Sequence, residues 1–208
     1  MKISRNIYLN VFKYNPKEKK LLKYLKNLLN DKSQILISQT RFYKNSYNRK
    51  LITKFKKYSK INLIGMGGSS LGARSIYFFL KKKIKKNFTF KNNFNFEKKN
   101  QKKNLNVIIS KSGNTLETIV NSNTIINNLG SNIFITENKK SYLHSLAKKL
   151  KDEIIYHNNY IGGRYSVLSE VGMLPAELMG LNINKFRRLN YLIKDKRFLN
   201  SLVLNVSN

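Results

Sequence analysis

Ile61-Asn62-Leu63-Ile64-Gly65-Met66-Gly67-Gly68-Ser69-Ser70-Leu71-Gly72 reads as an apolar strand that hands over, through a glycine turn, to a helix. Glycines at 65, 67 and 68 remove side chains where the backbone leaves the strand. A ligand can therefore approach main-chain amides, while Ser69 and Ser70 supply hydroxyls at the helix start. The last glycine is not followed by Lys-Ser/Thr, which removes the nucleoside-triphosphate loop, and the dinucleotide spacing is only approximated. By itself the stretch is equally satisfied by a tight strand-to-helix turn with a serine N-cap.

The same alternation runs on. Short apolar segments at 61–64, 88–96, 105–109, 133–136 and 154–156 are separated by helical patterns at 70–80, 115–129 and 141–150. Such alternation predicts an α/β fold, a three-layer αβα domain with a mostly parallel sheet, preceded by N-terminal helices. Val107-Ile108-Ile109 delivers a second turn, Ser110-Lys111-Ser112-Gly113-Asn114-Thr115. Its three hydroxyls and open N–H groups at the positive end of a helix suit a dianionic phosphate without a lysine, with Asn114 or Thr115 as the cap. Two such turns at the carboxyl ends of parallel strands occupy the place where open α/β sheets bind ligands. A third turn, Gly162-Gly163-Arg164-Tyr165-Ser166, suits a guanidinium that clamps a phosphate or stabilises a developing oxyanion. Alone it is also an ordinary turn with an exposed Arg.

Before the first strand, Asn15-Pro16-Lys17-Glu18 reads as cap, first-turn Pro and third-position Glu. Leu21, Leu22, Leu25, Leu28 and Leu29 then predict a helix over about 16–30. Tyr43, Tyr47, Leu51, Phe55 and Tyr58 step by three and four and predict a second helix through the forties and fifties. The Lys-rich segment 97–104 reads as a surface loop inside the domain. Val167-Leu168 is expected to end a strand, and Val171, Leu174 and Leu178 to form a helix that closes at Gly180. The tail keeps helical periodicity through Leu189, Leu192, Ile193, Phe198, Leu202 and Val203 without a stop signal. The expected division is an N-terminal helical segment over 1–58, the α/β domain over 59–183, and a helical connection over 184–208 leading to a missing second domain.

Composition excludes several classes. With 41% hydrophobic residues in 208, the chain can bury a core. No run of about 18 apolar residues exists and the N-terminus lacks a secretory apolar region, so a soluble, cytoplasmic chain with no membrane partner is expected. Zero cysteines remove disulfides and thiolate chemistry. The formal charge of +31, from 41 Lys+Arg against 10 Asp+Glu, points toward nucleic acid only superficially. The excess is overwhelmingly Lys, interspersed with Asn, Ile, Tyr and Phe as in a protein written by an A+T-rich genome. An Arg-rich, concentrated face is missing, so no specific nucleic acid is expected.

The three turns in this order, with Val171-Gly172-Met173-Leu174-Pro175-Ala176 after them, resemble the glucose-6-phosphate isomerase family and its sugar-isomerase (SIS) domain, over most of 61–180. Small departures are Ser70, where many members carry Asp, and Glu177, where a small residue is common. The resemblance implies reversible aldose–ketose isomerisation of glucose 6-phosphate and fructose 6-phosphate through an enediol, with no metal and no organic cofactor. A homodimer is implied at full length. By position, Ser110, Lys111 (through its backbone), Ser112 and Thr115 would hold the phosphate. Gly68, Ser69 and Gly163 would lie along the substrate, and Arg164 would stabilise the enediolate. The family's base Glu and ring-opening His lie in later motifs that nothing after Arg164 resembles, so the chain is expected to be an N-terminal portion. Glu170 and Glu177 read as helix-start or solvated residues, His144 as surface or core, His157 as a loop residue, and Glu117 as support behind the phosphate turn. The alternatives are a stand-alone SIS module that binds or senses a sugar phosphate without turnover, and charge-driven nucleic-acid binding that collapses with salt.

Overall fold

In the computed structural model, residues 2–4, 7–8, 18–94, 103–127, 129–188 and 195–207 are described. In chain order the elements are β1 (Lys2–Ser4), β2 (Ile7–Tyr8), α1 (Glu18–Asn30), α2 (Gln34–Ser38), α3 (Arg49–Phe55), β3 (Lys60–Ile64), α4 (Gly68–Phe79) and β4 (Asn87–Lys91). Then follow β5 (Leu105–Ile109), α5 (Leu116–Ile125), β6 (Ser131–Thr136), α6 (Tyr142–Leu150), β7 (Glu153–Tyr156), α7 (Glu170–Leu178) and α8 (Lys196–Ser207).

The chain divides into two compact units. One, Met1–Arg41 with Asn184–Asn208, holds the antiparallel pair β1–β2 and the packed helices α1 and α8. The other, Phe42–Ile183, holds the five-stranded sheet. Within it, residues 42–58 supply α3 and the buried Tyr43, Phe55 and Tyr58.

All neighbours in that sheet are parallel and the order is β4-β3-β5-β6-β7. Counted from its own first strand this is the doubly wound order 2-1-3-4-5, with the reversal between β3 and β5. Every residue of β5 is buried, as a central parallel strand covered on both faces must be. Ile64, Ile108, Phe134, Leu143 and Ala147 form a core cluster between sheet and helix, each large apolar side chain contributing about 1.5–3 kcal/mol by leaving water. One polar row crosses this interior. Asn62, Asn106 and Asn132 stand in register on three strands, and each donates its Nδ2 to the next carboxamide, or finally to Asp152 Oδ2, at 2.8 Å.

Several elements differ from the sequence expectation for local reasons. The second N-terminal helix starts only at Arg49, because Asn48 caps it by accepting the Leu51 N–H, leaving Tyr43 and Tyr47 outside. The helix expected to reach residue 129 stops at Ile125, where Asn127 Oδ1 takes the N–H groups of Leu129 and Gly130 at 3.0 Å each. Val167-Leu168 does not end a strand but lies in a 3-10 turn, Gly163–Leu168, that leads straight into α7. As expected, α7 closes at Gly180 (φ +86°), whose N–H reaches the Glu177 carbonyl. The caps proposed from Asn15 to Lys17, most of the 97–104 loop and Leu189, Leu192 and Ile193 lie outside the described residues. No described helix is long and apolar enough to cross a membrane.

Candidate functional site

The first turn leaves β3 and the second leaves β5, so both open at the carboxyl edge of the sheet on the two sides of its reversal point. They touch through backbone: a side chain on Gly65 would come within 2.9 Å of the Ile109 carbonyl oxygen. The third turn joins them from the other side. Gly68 lies against Gly163 so closely that a Cβ on it would sit 2.7 Å from the Gly163 Cα. Ser166, buried below, donates to the carbonyls of Gly163 (2.7 Å) and Gly68 (3.2 Å). The three motifs of the sequence are thus one continuous backbone surface.

The helix after the first turn begins at Gly68, with Gly67 (φ +54°) as cap, so Ser69 and Ser70 fall inside its first turn instead of capping it. Consecutive helical residues point about 100° apart, which separates the two serines. Ser70 is fully buried with its hydroxyl directed back to the Gly67 carbonyl, whereas Ser69 is half-buried and its hydroxyl has no partner among the described residues.

In the second turn, Ser110 and Thr115 place their hydroxyl oxygens 2.9 Å apart. The Gly113 N–H donates to Ser110 Oγ, and the Asn114 N–H to the exposed Ser112. Thr115 occupies the N-cap of α5 but makes no side-chain capping bond, so the first amides of that helix stay open. Gly113 turns with φ +68° against Thr136 and Ser141, where any side chain would collide. Lys111 directs its ammonium away, to the Asn159 carbonyl and to Glu137 Oε1 at 3.5 Å. Burial pushes the Glu137 carboxyl up, but Lys139 and Lys111 outweigh it and hold it below the usual carboxylate range. Thr118, one turn further along α5, buries a hydroxyl with no partner among the described residues.

Arg164 is exposed, and among the described residues its side chain makes no hydrogen bond or ion pair. The site therefore combines an uncommitted guanidinium, open helix amides and a group of hydroxyls, donor chemistry that suits an oxyanion. Glu117 is half-buried at the start of α5.

The sequence reading missed one buried cluster next to this surface. Glu170 starts α7 and His157 lies in the loop after β7, as expected, but neither is solvated: His157 Nδ1 lies 2.6 Å from Glu170 Oε1 with both side chains buried. The available signal was a single carboxylate at the head of the otherwise apolar helix Val171-Gly172-Met173-Leu174-Pro175-Ala176, where a charge must find a partner. Nothing in the spacing indicated that His157 and Tyr43 would supply it. His144 is buried in α6, with Nε2 3.4 Å from the Tyr156 hydroxyl.

A doubly wound parallel sheet with glycine- and serine-rich turns at its switch point defines residues 42–183 as an αβα domain of the SIS type. The fold is shared with a hypothetical protein of Thermus thermophilus (TM-score 0.68, 20% identity, 92% of this chain and 52% of that one). It is shared too with tagatose-6-phosphate ketose/aldose isomerase from Escherichia coli (TM-score 0.53, 13% identity, 91% and 51%). The model of the family "Phosphoglucose isomerase" matches residues 45–202, and the chain belongs to that family. Among curated relatives, glucose-6-phosphate isomerase of Methanocaldococcus jannaschii is 37% identical over 148 residues, covering 62% of this chain and 35% of the relative. The enzyme of that name from Borrelia garinii subsp. bavariensis is 30% identical over 182 residues, covering 73% and 34%. The chain thus spans about a third of the length of these relatives.

Proposed function

We propose that this chain carries the phosphate-binding and enediolate-stabilising part of a glucose-6-phosphate isomerase, which interconverts glucose 6-phosphate and fructose 6-phosphate through an enediol. The observation that supports the reading is the meeting of the three turns through backbone, Gly65 against Ile109 and Gly68 against Gly163, next to the paired hydroxyls of Ser110 and Thr115. The phosphate occupies the second turn, taking hydrogen bonds from Ser110, Ser112 and Thr115 and from the amides of Lys111 and of the first turn of α5. Lys111 acts through its backbone, since its ammonium is engaged with Glu137 and Asn159. The sugar lies along Gly68, Ser69 and Gly163. Arg164 neutralises the oxygen that gains charge as the proton leaves the carbon, an interaction that grows toward the transition state and so raises turnover. Glu170 and His157 are not the acid–base pair, because each is buried and bonded to the other. The same reading places the intact protein in the cytoplasm as a homodimer.

The test is a kinetic split in the intact protein. Arg164→Ala lowers kcat by about 10²–10³-fold while KM stays within about threefold, the loss typical of one oxyanion donor. Ser110→Ala and Thr115→Ala raise KM about tenfold, the cost of a hydrogen bond to a charged group, with kcat little changed. Equal losses of binding and turnover in Arg164→Ala remove the enediolate role, and an unchanged KM in the hydroxyl variants removes the cradle. Phosphosugar binding without turnover by the wild type favours a binding module.

A further inference from the structure

Among the described residues, His157 and Glu170 meet with both side chains buried, away from the hydroxyls of the second turn. Glu170 draws its partners from separate segments. Oε1 takes His157 Nδ1 at 2.6 Å and the Asn158 N–H at 3.4 Å, while Oε2 accepts the Tyr43 hydroxyl at 2.8 Å. Asn158 Nδ2 in turn donates to the Tyr43 oxygen at 2.9 Å. The far nitrogen of the ring, His157 Nε2, lies 3.1 Å from the carbonyl oxygen of Ile161. A carbonyl only accepts, so Nε2 carries a hydrogen and donates it there. Glu170 thus sets the orientation of the imidazole, and the imidazole holds the backbone at Ile161.

That backbone position matters because the next three residues are Gly162, Gly163 and Arg164. Ile161 is fully buried, so the turn departs from an anchored point. Gly162 is extended and its carbonyl takes the Tyr165 N–H at 2.9 Å, closing the turn in which Arg164 sits. The Arg164 side chain has no bond of its own to a described residue, so the path of the turn decides where its guanidinium stands. Two glycines make that path soft, since each lacks the side chain that would restrict it.

We propose that Glu170 is a positioning residue for Arg164, acting through His157 and the Ile161 carbonyl, with Tyr43 and Asn158 holding the carboxylate in place. This rests on the isomerase reading of the site. A buried carboxylate held from two separate segments is expensive to assemble, and it tolerates only a narrow geometry, which is what an arginine aimed at a transient charge needs. Burial pushes the Glu170 carboxyl up, yet the hydrogen bonds from His157, the backbone and Tyr43 outweigh it and keep the group ionised below the usual range. Burial and the neighbouring carboxylate push the Tyr43 hydroxyl up, so it remains a donor.

The test is Glu170→Gln, alone and combined with Arg164→Ala, in the intact protein. Glu170→Gln is expected to lower kcat at least tenfold with KM for the sugar phosphate within about threefold. In the Arg164→Ala background the same change costs less than about twofold more, because the residue it positions is gone. Losses that multiply instead of saturating overturn the proposal, since a merely structural role acts on both backgrounds alike. Amide hydrogen exchange supplies a readout independent of turnover. Glu170→Gln is expected to speed exchange at Gly163, Arg164 and Tyr165 at least tenfold while leaving Gly113 and Asn114 unchanged, and equal protection in both proteins overturns the positioning role. A wild type without isomerase activity sinks the proposed function alone, and exchange then decides the present inference. If Glu170→Gln does not fold, Tyr43→Phe, which keeps the ion pair and removes one donor, is read by the same exchange and kinetic criteria.

Discussion

A few atoms decide whether the three turns meet. Gly68 and Gly163 are in backbone contact, so the smallest added side chain at 68 pushes against main chain that cannot rotate away. Gly68→Ala is expected to destabilise the protein by about 1–3 kcal/mol, the range for overpacking a tight interior contact. It also pushes the first turn away from the third. Urea unfolding checks the first effect; an unchanged midpoint would show that the turn yields freely. Adjacent serines show the same sensitivity. Ser69 and Ser70 are chemically identical, yet one helical step buries the second against Gly67 and leaves the first open.

The sheet carries its own register device. Each of β3, β5 and β6 has an Asn near its start, followed by apolar residues, and the three amides chain across the strands to Asp152. A slip of one residue on any strand would break these bonds and leave its asparagine opposite an apolar residue. Burial pushes the Asp152 carboxyl up, outweighing its bonds to Asn132, so the ladder ends in a desolvated acceptor. Asn106→Leu keeps the volume but strands the amide of part-buried Asn62 and the carbonyl of buried Asn132, at a cost of about 2–4 kcal/mol. Circular dichroism during urea titration measures it, and a loss below about 1 kcal/mol would show that packing alone holds the register.

With 41 Lys+Arg against 10 Asp+Glu, the whole molecule already repels itself, and acid makes this worse by discharging its few carboxylates. Glu170 and Glu137 both titrate below their ordinary value in the folded state. Their stabilisation is present above the unfolded carboxylate value of about 4.3 and is lost as pH falls through the lower folded values. Asp152, raised instead, runs the opposite way and favours the fold slightly as it takes up a proton. Three acids are held low, Asp195 among them through its bonds to Arg197, against one raised acid. Thermal midpoints should therefore fall steeply below about pH 4, and Glu170→Gln should flatten that acid limb while lowering the neutral plateau. An acid limb of the same slope in the variant would show that Glu170 is not its source.

Local chemistry was sufficient for the alternation of strands and helices, the parallel sheet, the membership suggested by three ordered turns, and the termination of α7 at Gly180. Those features depend on residues near one another in the chain: apolar period, glycine at a positive φ, serine at a helix start. Only the tertiary structure placed Tyr43, His157 and Glu170 around one another. Tyr43 stands 127 residues before Glu170, and no periodicity links them. It also turned the Lys111 ammonium away from the Ser110–Thr115 hydroxyls, aligned three asparagines into a ladder, and laid Gly163 on Gly68. The reason is common to all four: hydrogen-bond partners and van der Waals neighbours in a doubly wound sheet are set by which strand lies beside which, and the chain specifies that order only when the whole core closes.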